Sequence, residues 1–564
     1  MLPRSMRVIL AALAALSLAA LACAPDRRGA GARHAHYFGD VSPPRGQVFR
    51  YNNGAEPESW DPGLCSGQPD GRVARALFEG LAVPNPRTLQ PEPGMAERWT
   101  VSDDGLVYTF RVRSGTTWSD GTPFTAEDFR WSWLRVLRPG SGARYASLLY
   151  PIRNAEAFHR GALADEAAVG VAAPDDTTLV VTLESPTPYF VFLTMFYTYC
   201  PVPRHVVERY GNRWTRPEHV VSNGAFILAA WRQGDRFEFV RNPRYWDAAH
   251  VRLERIVAYS VDDLNTSANL YKAGVIDWTT SGAFPSQFVP YLRAFRDYQH
   301  GLYQGTYFYS FNVSEPPLDN VWLRRALSLA VDREAIARDL LKGSRAPWGN
   351  LCPTGYPGYV HPPGHRFDPD SARACLARAG YPGGRGVPKL SLLFNTSEDH
   401  RRIAEAIQAM WRRELNVEVE LSNQEWGSYL QATTALEYQI ARRAWIGDYL
   451  DPNTFLSCFV TGDGNNRTGW SDAVYDRLVR EAARTLDPAR RLAILAEAEA
   501  RLLDQAPIIP IYHYSTNDLV KPYVRGIWPT ALDTHPLKHV WIDHDWRMRA
   551  AGAAANGAAL GEAR

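Results

Sequence analysis

Apolar and polar side chains alternate from Leu106 to Arg113: Tyr108, Phe110 and Val112 fall on one side, Thr109, Arg111 and Arg113 on the other. A period of two is the signature of a half-buried strand. The next segment is predicted helical as far as Leu134, because Thr125 followed by Asp128 three residues on forms a capping box. Further along, the mostly apolar run Leu390 to Phe394 predicts a strand, and a helix is predicted from about Asp399 to Leu415, with Ile403, Ile407, Met410 and Trp411 on one face. Val417, Val419 and Leu421 then alternate with polar residues, so strand, helix and strand follow with short links and predict a parallel crossover. Asp370 to Ala379, stopped by Gly380, reads as another short helix.

The two ends of the chain follow different rules. Arg4 and Arg7 precede an apolar stretch from Val8 to Ala22 and then Cys23, a pattern that predicts an export signal over residues 1–23. Fifteen apolar residues are fewer than the roughly 20 that a bilayer span needs. Ala20-Leu21-Ala22-Cys23 is similar to a bacterial lipobox, with Ala20 where leucine is common, and predicts lipidation of Cys23; a soluble periplasmic product cut near the same point is the alternative. Residues 24–45 are rich in Pro, Gly and Arg and are expected to form a flexible tether, and residues 546–564, mostly Ala and Gly, a disordered tail.

Composition narrows the function classes. The 564 residues exceed several times the roughly 100 to 150 of a typical domain, so two or three folding units are expected. Hydrophobic residues are 45%, charged residues 22% and net charge is +2, with no run of five or more Lys and Arg, which argues against a nucleic-acid partner. Cys65, Cys200, Cys352, Cys375 and Cys458 are odd in number and include no CxxC, so no pairing can be read from them.

Enzyme signatures are missing: GxSxG, HExxH, GxxxxGK and GxGxxG do not occur. The histidine clusters (His34 with His36, His361 with His365, and His535 with His539 and His544) lie in Pro-, Gly- or Asp-rich stretches rather than on one helix face, so surface histidines are a better account than metal ligation. Asp103 with Asp104 and Asp262 with Asp263 look like turn residues. No catalytic residue, metal or cofactor is assigned. An exported hydrolase is retained only as a minor alternative, since 18 Trp and 27 Tyr could line a sugar cleft.

Several strings are collinear with one family. Asn52-Asn53-Gly54-Ala55-Glu56-Pro57, Phe78-Glu79-Gly80-Leu81, Trp118-Ser119-Asp120-Gly121-Thr122-Pro123, Arg241-Asn242-Pro243-Arg244-Tyr245-Trp246, Asn423-Gln424-Glu425-Trp426 and Trp445-Ile446-Gly447-Asp448-Tyr449 resemble the extracellular solute-binding proteins (family 5) of peptide importers, in particular the oligopeptide-binding branch. The resemblance runs from about residue 47 to 545.

What the resemblance implies is an α/β, two-lobed periplasmic-binding-protein fold with an additional small domain and a hinge between the lobes. Lobe I would comprise 46–78, 201–302 and 515–545, the accessory domain 79–200, and lobe II 303–514. It also implies a non-enzymatic monomer that traps short peptides between its lobes and delivers them to the permease and ATPase subunits of an ABC importer. Asp448, with Trp445 and Gly447 beside it, would hold the peptide amino group. Arg442 and His400 match residues that meet the carboxyl end, while a second family arginine falls on Thr433. Tyr145, Trp426, Trp445 and Tyr514 match groove aromatics, and Ser66 to Gln68 match an extended stretch that bonds the peptide main chain. A same-fold protein for a murein peptide, metal chelate or sugar is the nearest rival.

Overall fold

The computed structural model describes residues 36–280 and 282–549. The export signal, Cys23 and the greater part of the expected tail lie outside the described residues.

The alternating segment forms the strand Val107–Val112, its even-numbered side chains buried. The helix after it runs Ala126–Leu137, one turn longer than predicted because Trp133, Leu134, Val136 and Leu137 all find core positions. The Thr125 amide donates to the Asp128 carboxylate at 2.8 Å, closing the capping box. The crossover is present as strand Leu390–Asn395, helix Glu398–Leu415 and strand Val419–Gln424, and the two strands pair in parallel.

Two main bodies surround separate apolar cores. One is built on a four-stranded sheet in the order Val48–Asn52, Arg255–Tyr259, Arg236–Arg241, Phe226–Arg232, together with a four-stranded antiparallel sheet between residues 96 and 182. Its core runs without interruption from Phe49 through Trp118, Trp133 and Leu179 to Ala258. The segment expected as an accessory domain therefore shares its apolar interior with the flanking sheet. The second body is built on a six-stranded mixed sheet, in which Ile440–Ile446 lies between Tyr298–Phe311 and Leu390–Asn395. Tyr309, Leu392, Ile407 and Trp411 pack in its core.

Two long strands, Tyr298–Phe311 and Ile508–Leu519, cross from one body to the other. They pair antiparallel, but the register shifts between Leu302 and Thr306, so that residues 303–305 oppose Tyr514. Such a bulge bends the ladder locally. It coincides with the positions at which the chain was expected to change lobe, after 302 and after 514.

Both ends of the folded body depart from expectation. Residues 36–45, assigned to the tether, are packed: Asp297 accepts from the Phe38 amide at 3.0 Å, the Phe38 ring stacks on Tyr271, and the Asp40 amide donates to the Lys272 carbonyl. Two aromatics, Tyr37 and Phe38, supply the anchoring area that a Pro-Gly composition hides. Residues 546–549, assigned to the tail, are helical, and Trp546 is buried with its edge on Tyr37 at 5.5 Å. Among the described residues all five cysteines are free thiols.

Trp411 is fully buried and its indole donates to the Leu327 carbonyl at 2.8 Å. Trp411→Ala should lower unfolding free energy by about 3 to 5 kcal/mol, the scale for deleting a buried large aromatic, as read by urea denaturation.

Candidate functional site

A cavity of about 780 Å³ lies between the two bodies, within the usual size range for ligand sites. All ten expected side chains or backbone positions, Ser66, Gln68, Tyr145, His400, Trp426, Arg442, Trp445, Gly447, Asp448 and Tyr514, lie on its wall.

The wall is organised by the strand Ile440–Ile446. It pairs along its length with Tyr298–Phe311 on one side, but on the other side it meets Leu390–Asn395 only through Ile440 and Ala441. From Arg442 to Ile446 the second edge has no strand partner among the described residues, and these residues line the cavity. An open edge of this kind can accept another extended chain through main-chain hydrogen bonds.

Beyond the strand, Gly447 donates its amide to the Gln304 carbonyl at 2.7 Å, and Asp448 donates its amide to Thr454 Oγ1 at 2.9 Å. A Cβ on Gly447 would come within 3.2 Å of Thr454 Cγ2 and 3.3 Å of Phe455, so glycine fits this turn where a side chain would crowd it. The backbone of Asp448 is thereby fixed. Its carboxylate has no hydrogen bond or ion pair among the described residues, and burial pushes its pKa up to about 8, Arg75 pulling the other way and Asp463 adding to the rise. Tyr145 stands edge-on to Phe196 and Tyr197 at 5.0 and 6.0 Å, and the Arg75 guanidinium lies 5.3 Å from the Tyr197 ring.

At the start of the same strand the chemistry reverses. Arg442 donates from Nη2 to the Tyr514 hydroxyl at 3.0 Å and from Nη1 to Asn395 at 3.3 Å, and its guanidinium sits 4.8 Å from the Tyr307 ring. Arg442 Nε is buried without a partner, as is His400 Nδ1. Burial and then Arg442 hold His400 well below the ordinary imidazole range, so this histidine is neutral at pH 7. Trp445 keeps its indole nitrogen buried and unbonded, whereas Trp426 is 50% exposed and stacks on Tyr429 at 5.6 Å, a surface position rather than a core one.

The Ser66 to Gln68 stretch departs from its expected extended form. Gln68 opens the helix Gln68–Leu77, and Gly67 before it takes φ 92°. Asp70 ties the turn down by accepting from the amides of Glu58 and Ser66, both at 2.9 Å. Gln68 Oε1 remains buried and unpartnered at the cavity.

Residues 90–467 match the profile of bacterial extracellular solute-binding proteins, family 5 middle. The chain is a family 5 extracellular solute-binding protein. This family 5 protein is 35% identical over 494 residues to the oligopeptide-binding protein OppA of Bacillus subtilis, covering 85% of this chain and 90% of that one. The structure of Haemophilus influenzae OppA in complex with RPPGFSPFR is 33% identical, with 89% and 100% of the two chains covered and a TM-score of 0.84. The Escherichia coli murein tripeptide binding protein MppA is similar at 33% identity, TM-score 0.84, with 89% and 99% covered. Its unliganded open form, at the same identity and with 88% and 99% covered, gives 0.65. With sequence and coverage held nearly constant, that lower score reports how the lobes are disposed, and the disposition here is unlike the open one.

The family 5 cavity also contains residues that the sequence did not single out: Arg75, Arg345, Arg443, Arg467, Tyr303 and Tyr512. The signal for Arg443 was adjacency to Arg442 on a strand whose open edge brings both residues to the cavity. The Asp448 carboxyl should titrate near pH 8 in the ligand-free protein by 13C NMR, far above the ordinary value of about 3.9, and Arg75→Gln should raise it further by removing the opposing cation.

Proposed function

We propose that this family 5 protein captures short peptides by their main chain and two charged ends and hands them to the permease and ATPase of an ABC importer. The carrying observation is the polarity of the strand wall: an unpaired carboxylate, Asp448, just past one end and a guanidinium with a free Nε, Arg442, at the other, with an open strand edge between. From Arg442 to Ile446 the strand covers about 13 Å at roughly 3.3 Å per residue, room for about four residues of extended peptide. The amino group of the peptide meets Asp448, the main chain adds to the open edge, and the carboxylate turns toward Arg442 and His400. Tyr145, Trp445, Trp426 and Tyr514 flank the chain, and the polar tips of Ser66 and Gln68 face it from the other lobe.

Charge pairing explains why the lobes close. An unpaired carboxylate in a desolvated site is costly, and it holds its proton until a cation arrives. Peptide that contacts both bodies lowers the free energy of the closed arrangement and not of the open one, which is the requirement for a ligand-driven hinge. The named ligands of the relatives, oligopeptides and a murein tripeptide, support a free amino terminus as the shared feature. The protein is a carrier with no catalytic step, works outside the cytoplasm as a monomer, and is held at the membrane through lipidated Cys23.

Removing Asp448 decides the matter. Asp448→Asn should weaken binding of a tetrapeptide by 100-fold or more, about 3 kcal/mol for breaking one buried charge pair, while N-acetylation of the peptide should cost the wild type a comparable factor and the variant little. Isothermal calorimetry reads both. Unchanged affinity in the variant rejects the assignment. Calorimetry in buffers of different ionisation enthalpy should also show release of about one proton per peptide bound at pH 7, since Asp448 is protonated when free at a pKa of about 8 and ionised against the ammonium; affinity therefore falls as pH drops below 8.

A further inference from the structure

The cavity holds more positive charge than a peptide with two ordinary ends can satisfy. Arg75, Arg345, Arg442, Arg443 and Arg467 line it, and none makes an ion pair among the described residues. Of the acids on the same wall, Glu58 pairs with Arg144 at 2.8 Å, Asp399 accepts from Ser286 and lies 3.9 Å from Arg402, and Glu56, Asp70 and Glu425 accept from backbone amides. Of these acids, Asp448 is the one whose carboxyl has no hydrogen bond among the described residues. By ion pairs alone, five guanidiniums face four carboxyl groups, those of Glu56, Asp70, Glu425 and Asp448, and a zwitterionic ligand adds one charge of each sign without removing that excess.

Two of these cations form a pair apart from the Arg442 end. Arg443 is 7% exposed and spends one donor on the Asn465 carbonyl at 3.2 Å. Arg467 lies two residues past Asn465, donates to Thr433 Oγ1 at 3.3 Å, and keeps Nε buried with no partner. Arg467 therefore brings a guanidinium to Thr433, the position at which the family resemblance led one to expect an arginine. The loop is held rigid, because Asp463 accepts the Asn465 amide at 2.8 Å and the Tyr438 hydroxyl donates to the Arg467 carbonyl. Burial first, and the neighbouring Arg443 next, hold Arg467 down at about 10. Two buried cations lining one cavity, with a guanidinium nitrogen left unbonded, mark a candidate site for an anion.

We propose that Arg443 and Arg467 form an anion subsite that takes a side-chain carboxylate, so that the preferred ligands are short peptides carrying Asp or Glu. This rests on the peptide-binding reading above and adds the ligand class. Guanidinium forks suit carboxylates because two parallel N–H donors match two oxygens, and an amide of the same shape offers only one acceptor oxygen.

The test is a calorimetric panel on the full mature protein at pH 7, using tetra-alanine with Glu or Gln placed in turn at positions two to four, each with a free or an amidated carboxyl end. At one position Glu should bind about tenfold or more tighter than Gln, the scale of one charged hydrogen bond, and that ratio should survive amidation. In the Arg443→Gln/Arg467→Gln variant the ratio should fall to near one. A ratio within about twofold at every position in the wild type, persistence of the ratio in the variant, or its loss on amidation, which would assign the pair to the terminal carboxylate, each overturns the proposal. If the double variant does not fold by circular dichroism, Arg467→Gln alone serves, since its side chain bonds only Thr433, and the wild-type panel remains decisive. Failure of the wild type to bind any tetrapeptide would instead sink the peptide reading itself.

Discussion

The antiparallel pairing of Tyr298–Phe311 with Ile508–Leu519 is the constraint on which the site depends. These strands belong to the second body's sheet at one end and reach the first body at the other, where Leu519 packs beside Tyr271 and Leu292. Where their register breaks, Gln304 turns aside to donate to the Ala531 carbonyl and to accept from Gly447, so the same irregularity that loosens the ladder fixes the turn carrying Asp448. The register break and the turn carrying Asp448 are thereby joined by a backbone hydrogen bond.

The enclosed arrangement is held by contacts that extend the first body's core to Tyr449 of the second. Tyr449, next to Asp448, stacks flat on Tyr189 of the other body at 5.0 Å, and Asn453 donates to the hydroxyls of both. Arg491 reinforces the joint with a two-pronged bond to Asp451 at 2.6 and 2.8 Å while lying over the Tyr189 ring. Aromatic stacking and hydrogen bonds of this kind are strong enough to favour closure yet few enough to be broken. The balance suits a protein that must open again to release what it holds.

Electrostatics sets the character of the cavity. Asp448 is pushed toward its protonated form by burial, and the arginines around it are spaced along rings and carbonyls instead of acids, so charge on the wall is stored unpaired. A ligand of complementary charge relieves that condition, and most of its side chains need no tailored pocket. Open volume beside half-exposed Trp426 fits the same economy.

Much of this was legible from residues alone. Period-two and helical spacing identified the Leu390 to Leu421 crossover, because a single α/β unit buries its own face locally and leaves a local pattern. The string around Asp448 pointed to the wall through its resemblance to the family's motif, which is contiguous in the chain. What lay outside reach were contacts between distant segments: Tyr37 and Phe38 anchoring a stretch that reads as tether, Gln68 entering a helix, and Arg467 arriving at Thr433 from thirty-four positions away. The sequence by itself determined the main elements and the family; the tertiary structure alone decided which arginines share a cavity and which strand edge stays open, since sequence spacing carries no information on how separate segments meet in space.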